Sequence, residues 1–343
     1  VVSDGGTGIT EGNGKYWTLS SGSDAYKGIW TDISGSYLRQ ILEKKPEEEN
    51  PSDWNTIMKK KCILIEFKIS IPVGILQWMS GTKKPVVPPF KDIYKIALFP
   101  ESINYNEIIL YVTGDGDKAY KYVVTIEGNL RKEDYKALIN GTAGNDSIIP
   151  LTLVGTYHPV KNDELLAVLS DKKETRIIWD LSVKTPKEII LQRENIDTIQ
   201  EILLDSGSKY TEMNEDGSEV LFSDDEKIVR YHQNGFFDYR LRQLNGPKGA
   251  VEEAFEKAVA FIEARRKKII YETDINLRSI ESKENYYVFT FDYLFDDMDL
   301  EVLDEGTRTI GPVITISANR ERVLDVKWYI KTLEYNDYHN YYN

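Results

Sequence analysis

The chain has 343 residues, with 43 basic and 56 acidic side chains, a formal net charge of -13, 41% hydrophobic residues and 11% aromatic residues. That length exceeds what one core usually fills and implies two or three domains, and the apolar content confines disorder to short pieces. The negative potential disfavours nucleic acid, whose phosphates require clustered Lys and Arg, and no apolar run approaches the roughly 20 residues that cross a bilayer as a helix.

Glycine-rich turns come first, at Gly5-Gly6 and Gly12-Asn13-Gly14, followed by a short strand from Lys15 to Leu19. From Ser23 to Leu42, the residues Tyr26, Ile29, Trp30, Ile33, Tyr37 and Ile41 recur at three- and four-residue spacing, which places them on one helical face. The stretch from Lys44 to Ser52, with Pro46, Pro51 and three glutamates, reads as a solvated linker, and Asp53-Trp54 opens a second short helix. Cys62 to Ile71 partly alternates as a strand that Pro72 ends. Pro85, Pro88 and Pro89 then force a non-helical connection to a hairpin of Tyr105 to Thr113 and Ala119 to Glu127 around Gly114-Asp115-Gly116-Asp117. A helix from Arg131 to Ile139 stops at Asn140-Gly141, which has C-cap chemistry.

Leu151 to Val154 and Arg176 to Leu181 are strand candidates. Thr185-Pro186-Lys187-Glu188 offers a capping box, so the next helix starts either there or at Asn195, with Ile196 to Leu204 helical in both cases. Lys209 to Arg242 reads as three or four short strands joined by turns at Asp216-Gly217, Asp224-Asp225 and Asn234-Gly235, where Gly tolerates positive φ. Pro247 occupies a first-turn position for a helix whose stripe is Val251, Ala254, Phe255, Ala258, Val259 and Ile262. Strands follow at Ile269 to Ile280, Tyr286 to Phe295, Pro312 to Ser317 and Val323 to Leu333, and burying the helix stripe requires it to lie across a mostly antiparallel sheet. The tail from Tyr335 to Asn343 has no period and reads as a frayed end.

Catalytic chemistry is sparse. Ser80-Gly81-Thr82-Lys83 has the Ser-x-x-Lys spacing of penicillin-recognising enzymes, but Pro85 follows closely and no Lys-Thr-Gly is present. His158, His232 and His339 lack paired zinc spacing. Asp296, Asp297, Asp299 and Glu301 crowd one strand end, and Asp115 and Asp117 sit in a glycine-rich turn without the terminal Glu of a calcium loop; solvated acidic edges that discourage aberrant sheet pairing account for both. Cys62, alone in the sequence, cannot form an internal disulfide and opens an apolar strand as a small buried residue. The run Arg265-Arg266-Lys267-Lys268 falls where a helix ends and cations complement its dipole. No catalytic, cofactor or metal residue is therefore assigned, no cofactor is expected, and the partner-binding face is unknown.

In this order the elements resemble the YycH family, membrane-tethered extracytoplasmic regulators that act with the related YycI protein on the essential WalK (YycG) sensor kinase of low-GC Gram-positive bacteria. The residues that carry the resemblance are Lys27-Gly28-Ile29-Trp30, Ile65-Glu66-Phe67 with Ile71-Pro72, the hairpin with its helix from Asn129 to Leu138, and Thr156-Tyr157-His158-Pro159. It continues through Leu221 to Tyr231, Asn234-Gly235-Phe236-Phe237-Asp238-Tyr239 and the helix from Ala250 to Ala264. These are hydrophobic and turn patterns spread over most of the chain.

The expectation is an α+β, multi-part ectodomain of mostly antiparallel sheets, each packed by one or two helices. It divides into an N-terminal segment 1–61, a central domain 62–206 (with 1–206 as one larger unit in an alternative division), a C-terminal domain 207–335 and a tail 336–343. The resemblance implies a non-enzymatic regulator anchored to the membrane outside the cytoplasm, with a YycI-like protein and a WalK-type histidine kinase as partners. The start at Val1-Val2-Ser3 fits removal of an upstream signal or anchor, and equally a trimmed cytoplasmic protein. A surface ligand- or calcium-binding module, and a hydrolase of unrecognised type, are the competing readings.

Overall fold

The computed structural model describes residues 4–10, 16–19, 23–48, 50–83, 85–101, 104–114, 116–141, 148–151, 177–184, 186–204, 209–269, 274–295, 298–300, 302–303, 310–311 and 313–340. Two compact units divide the chain, one of residues 1–154 with 250–252 and one of residues 155–249 with 253–343. Helices pack on mostly antiparallel sheets in the α+β arrangement that the sequence implies.

The first unit holds β1 (Asp4–Thr10), β2 (Tyr16–Leu19), α1 (Asp24–Asp32), α2 (Leu38–Glu43), β3 (Ser52–Asp53), α3 (Trp54–Ile57), β4 (Cys62–Pro72), α4 (Val73–Ser80), β5 (Asp92–Phe99), β6 (Glu107–Thr113), β7 (Lys118–Thr125), α5 (Lys132–Asn140) and β8 (Ile148–Leu151). Its sheet runs β3-β7-β6-β5-β4-β1-β2-β8, antiparallel at each junction. Its central strands β4 and β5 are buried on both faces. Ile63, Ile65, Phe67, Ile96, Leu98, Ile108, Leu110 and Val112 are buried, and Trp30 of α1 meets Phe67 edge-on at 6.0 Å, which sets α1 on their face. A second cluster of Cys62, Leu64, Ala97, Phe99 and Ala119 is closed by Trp54 and Ile57 of α3. Asp53 caps that short helix by accepting from the Thr56 N–H at 2.9 Å, so the Asp53-Trp54 helix start stands.

The helical stripe stands as well, with Ile29, Ile33, Tyr37 and Ile41 all fully buried. The helix from Asp24 to Glu43 is continuous but contains a π turn at Ile33–Tyr37. Each four-residue step of an α-helix overshoots a full turn by about 40°. The wider π turn takes up part of that drift, so four residues spaced by four stay on one face.

Several elements differ from expectation. Gly5-Gly6 lies in β1, at a register shift between Asp4 and Gly6, because pairing with β4 outweighs glycine's preference for turns; β2 pairs with β1 from Gly8 onward. Residues 12–14 fall outside the described residues. The helix α4 and the strand β5 occupy ground that the prolines mark as mere connection. Pro72 stands at the N-cap of α4, where a missing N–H costs nothing, and the eight residues that follow are too short and apolar to display a period. The helix α5 ends at Asn140 as expected, but Gly141 has φ -91 and uses no left-handed cap.

The second unit holds β9 (Ile177–Lys184), α6 (Ile196–Leu204), β10 (Tyr210–Met213), β11 (Glu219–Ser223), β12 (Lys227–His232), β13 (Phe236–Leu241), all but the first two residues of α7 (Val251–Arg266), β14 (Asp274–Ser282), β15 (Tyr287–Phe295), β16 (Met298–Leu300), β17 (Val302–Leu303), β18 (Ile310–Gly311), β19 (Ile314–Ala318), β20 (Val323–Tyr329) and β21 (Thr332–Asn340). The main sheet runs β10-β11-β12-β13-β20-β19-β15-β14, with β16 on β15. The meander's turns are those read from the sequence. The Asp216 carboxylate accepts from the Ser218 N–H at 2.9 Å, Asp224 from the Glu226 and Lys227 N–H groups at 2.8 Å each, and Asn234 from the Phe236 N–H at 3.0 Å. Gly217 and Gly235 take φ of 72° and 84°.

The helix α7 lies across the sheet as expected, Phe255 meeting Phe289 of β15 at 5.4 Å and Phe261 meeting Tyr239 of β13 at 5.3 Å. It does not begin at Pro247: Gly249, at φ +69, holds a conformation no helix contains, so the first turn waits for Val251. The expected strand from Val323 to Leu333 is two strands. The Tyr293 hydroxyl donates to the Tyr329 carbonyl and accepts from the Lys331 N–H at 2.9 Å, which interrupts the ladder between them. The aperiodic tail is not frayed through Asn340. It forms β21, paired antiparallel with β9, because strand pairing needs only backbone groups and leaves no mark in side-chain periodicity.

Candidate functional site

The densest polar constellation in the first unit starts from three residues four apart on the long helix. Asp32, Ser36 and Gln40 are all buried, at 1%, 7% and 8% exposure, beside the apolar stripe. Each reaches the chain that leaves β7. Gln40 reads both backbone groups of Thr125, donating to its carbonyl and accepting from its N–H at 2.8 Å each, as a neighbouring strand would. Ser36 donates to Glu127 at 3.2 Å, and Arg39 forms an ion pair with the same carboxylate at 3.2 Å. Asp32 accepts from the N–H groups of Asn129 at 2.6 Å and Leu130 at 3.1 Å and from the Tyr135 hydroxyl at 2.6 Å.

Tyr135 spends its proton on Asp32, so Tyr37, whose hydroxyl lies 3.1 Å away, must donate to Tyr135. Burial, then the neighbouring Tyr37 and the hydrogen bond to Asp32, push the Tyr135 phenol far above its ordinary value; burial does the same to Tyr37. Both stay neutral. Gly128 is required by this seam, since a Cβ there would sit 1.9 Å from Asp32 Oδ1. A shallow depression of about 330 Å³ beside it is lined by Asp24, Ala25, Leu130, Asp134, Ala137 and Leu138. The Asp134 carboxylate is already engaged by the Arg131 N–H at 2.8 Å, which with the Arg131 side chain holds its pKa below the usual range. The carboxylate of Asp32 takes three donors, and the residue is shut from solvent. This is the chemistry of a clamp, holding a loop and α5 against a helix.

The residues weighed from sequence are dispersed. Ser80 ends α4 and bonds the Gln77 carbonyl at 3.3 Å and Thr82 Oγ1 at 2.6 Å, with Gly81 as a left-handed cap at φ +60; the spacing with Lys83 belongs to a helix terminus. His232 faces Glu219 across the β11–β12 ladder at 3.2 Å. His339 lies in β21, and His158 falls outside the described residues. Cys62 is fully buried, and desolvation raises its thiol to about 12. Of the acidic groups, Asp299 lies in β16, the Asp117 carbonyl accepts from the Trp54 N–H at 2.8 Å, and Asp115, Asp296, Asp297 and Glu301 lie outside the described residues. No three His, Cys, Asp or Glu side chains converge among the described residues.

Arg265 does more than complement a dipole. It is 2% exposed, donates to the Leu203 carbonyl of α6 at 3.0 Å and lies over the Phe261 ring, tying α6 to α7. The clamp itself was missed in the sequence. Its signal is a polar stripe, Asp32-Ser36-Gln40, that keeps the same four-residue step as the apolar stripe beside it.

No protein-family model matches the sequence, and no curated protein sequence matches it. The two helix-packed, mostly antiparallel sheets define an α+β protein, and the clamp of the first unit serves its own structure. Within that class the fold is similar to the crystal structure of YycH from Bacillus subtilis, with a TM-score of 0.63 and 12% identity over 98% of this chain and 83% of that chain. At that identity the likeness is one of fold.

Proposed function

We propose that this chain is a regulatory protein that modulates a two-component histidine kinase through protein contact, outside the cytoplasm and tethered to the membrane, together with a YycI-like partner. The observation that supports this reading is a YycH-like course over 98% of the chain, which coincides with the turn and hydrophobic patterns that suggest the same family from sequence. The occupied state of the Asp32 clamp agrees with it, since the groups gathered there face inward. Among the described residues no helix is long and apolar enough to cross a membrane. Such a protein shifts a kinase between states only by binding one of them more tightly.

The test is affinity capture of the tagged protein from detergent-solubilised native membranes, followed by mass spectrometry. Recovery of a sensor kinase and a YycI-like protein, with altered kinase autophosphorylation when the chain is deleted, is the expected result. Recovery of neither removes the partner assignment.

A further inference from the structure

Asparagine followed by glycine occurs at 13–14, 140–141, 234–235 and 245–246. Such a step is chemically labile, because the backbone nitrogen of the glycine can attack the asparagine side-chain amide and glycine has no Cβ to obstruct the approach. In a folded chain the outcome depends on that nitrogen. A glycine N–H tied into a hydrogen bond must first be released, whereas a free one is ready to react.

Asn13-Gly14 lies outside the described residues. At Asn140 and Asn234 the nitrogen is tied. The Gly141 N–H donates to the Ala137 carbonyl at 2.7 Å as α5 ends, and the Gly235 N–H donates to the His232 carbonyl at 2.9 Å. The Asn234 side chain is itself engaged by the Phe236 N–H at 3.0 Å. Asn245-Gly246, in the loop between β13 and α7, differs. Both residues are exposed, and neither the Asn245 side chain nor the Gly246 N–H has a hydrogen-bond partner among the described residues. The oxygen of the peptide unit that joins them accepts from the Arg322 guanidinium at 3.3 Å. Donation to that oxygen favours loss of the proton from the nitrogen of the same resonant amide.

The fold also fixes the glycine. Gly246 has φ +139, and a Cβ there would stand 2.5 Å from Asn319 Nδ2 and 3.3 Å from Glu321 Oε2. Asn319 is fully buried and pinned, its Oδ1 accepting from the Glu321 and Arg322 N–H groups at 3.0 Å each. A side chain at 246 is thus opposed both by the backbone conformation and by its neighbours, so the labile step is retained where the loop is open.

We propose that Asn245 is a site of spontaneous deamidation through a cyclic imide, selective over Asn140 and Asn234 in the native chain. The Gly246 nitrogen bonds to the Asn245 Cγ as its proton passes through water to Nδ2; the Cγ–Nδ2 bond breaks and ammonia leaves. Water then opens the imide at either carbonyl and yields aspartate or isoaspartate. Both products add a negative charge to the loop, and the isoaspartyl form adds one carbon to its backbone. That loop is fastened by the Arg320 N–H, which donates to the Lys248 carbonyl at 3.1 Å. The inference is independent of the kinase reading, since the reaction needs only the chain and water.

The experiment incubates the full chain at mildly alkaline pH, natively and in denaturant, and follows each asparagine by peptide mapping with mass spectrometry. In the native chain Asn245 is expected to convert at least about tenfold faster than Asn140 and Asn234, the factor set by one backbone hydrogen bond of ordinary strength. Two products of equal mass appear, the aspartyl and isoaspartyl forms, and in denaturant the preference for Asn245 is lost. Native conversion at Asn245 no faster than at Asn140 or Asn234 overturns the proposal, and so does a preference that persists in denaturant. An aspartyl product alone shows direct hydrolysis without the imide and overturns it as well.

Discussion

Replacing Asp32 with Ala tests the clamp directly. The change strips one acceptor from three donors, the N–H groups of Asn129 and Leu130 and the Tyr135 hydroxyl. A hydrogen bond to a charged group is worth about 1.5–3 kcal/mol, and an orphaned buried donor costs a similar amount. Simple addition overstates the loss, because the substitution also relieves burial of a charge. A net loss of about 2–4 kcal/mol follows. Asp32→Asn keeps one acceptor and lets the Tyr135 oxygen accept from the new amide, so it loses about 1–2 kcal/mol. Because two units melt, peptide-resolved hydrogen exchange of residues 125–140 against urea isolates the relevant transition. In a double-mutant cycle with Tyr135→Phe, the two changes couple by at least about 0.5 kcal/mol. A stability within about 0.5 kcal/mol of the parent for Asp32→Ala, or no coupling to Tyr135, refutes the clamp.

Three other outcomes follow from particular residues. Gly235→Val forces a β-branched side chain into φ +84 and lowers the stability of the second unit by about 1–2 kcal/mol, read from its urea midpoint, while Gly35→Ala, where a Cβ meets nothing within 4 Å, does not destabilise the first. Cys62, with its thiol raised to about 12 by burial, resists alkylation at pH 8 in the native protein and reacts fully in denaturant. Rapid native labelling would contradict its placement in the core. Asp216, held below its ordinary value first by the Ser218 hydroxyl and then by the Ser218 N–H, supports the β10–β11 turn in full above about pH 4 and loses that support as pH falls through its lowered folded value. Asp216→Asn therefore flattens the acid limb of the second unit's melting profile, and an unchanged acid limb would assign the acid sensitivity elsewhere.

The meander was legible because its determinants are local. Asp216, Asp224 and Asn234 bond amides two or three residues away, and Gly217 and Gly235 supply the positive φ such turns need, so three or four strands could be read from thirty-odd residues. The stripes of the first helix and of α7 were legible for the same reason, as a period visible within one element. The clamp was not, because the partners of Asp32 lie 97 to 103 residues away and two of its three donors are backbone amides, which carry no residue identity.

What the sequence determined by itself is thus the inventory of most strands and helices, the positions of the meander turns, and a pattern that suggested the YycH fold. Tertiary structure alone decided that glycine-rich Asp4–Thr10 becomes an interior strand and that the aperiodic tail pairs with Ile177–Lys184. The division is physical: side-chain periodicity records which face of an element is buried, whereas strand pairing and loop docking are settled by backbone groups common to every residue, and only the assembled chain fixes which of them meet.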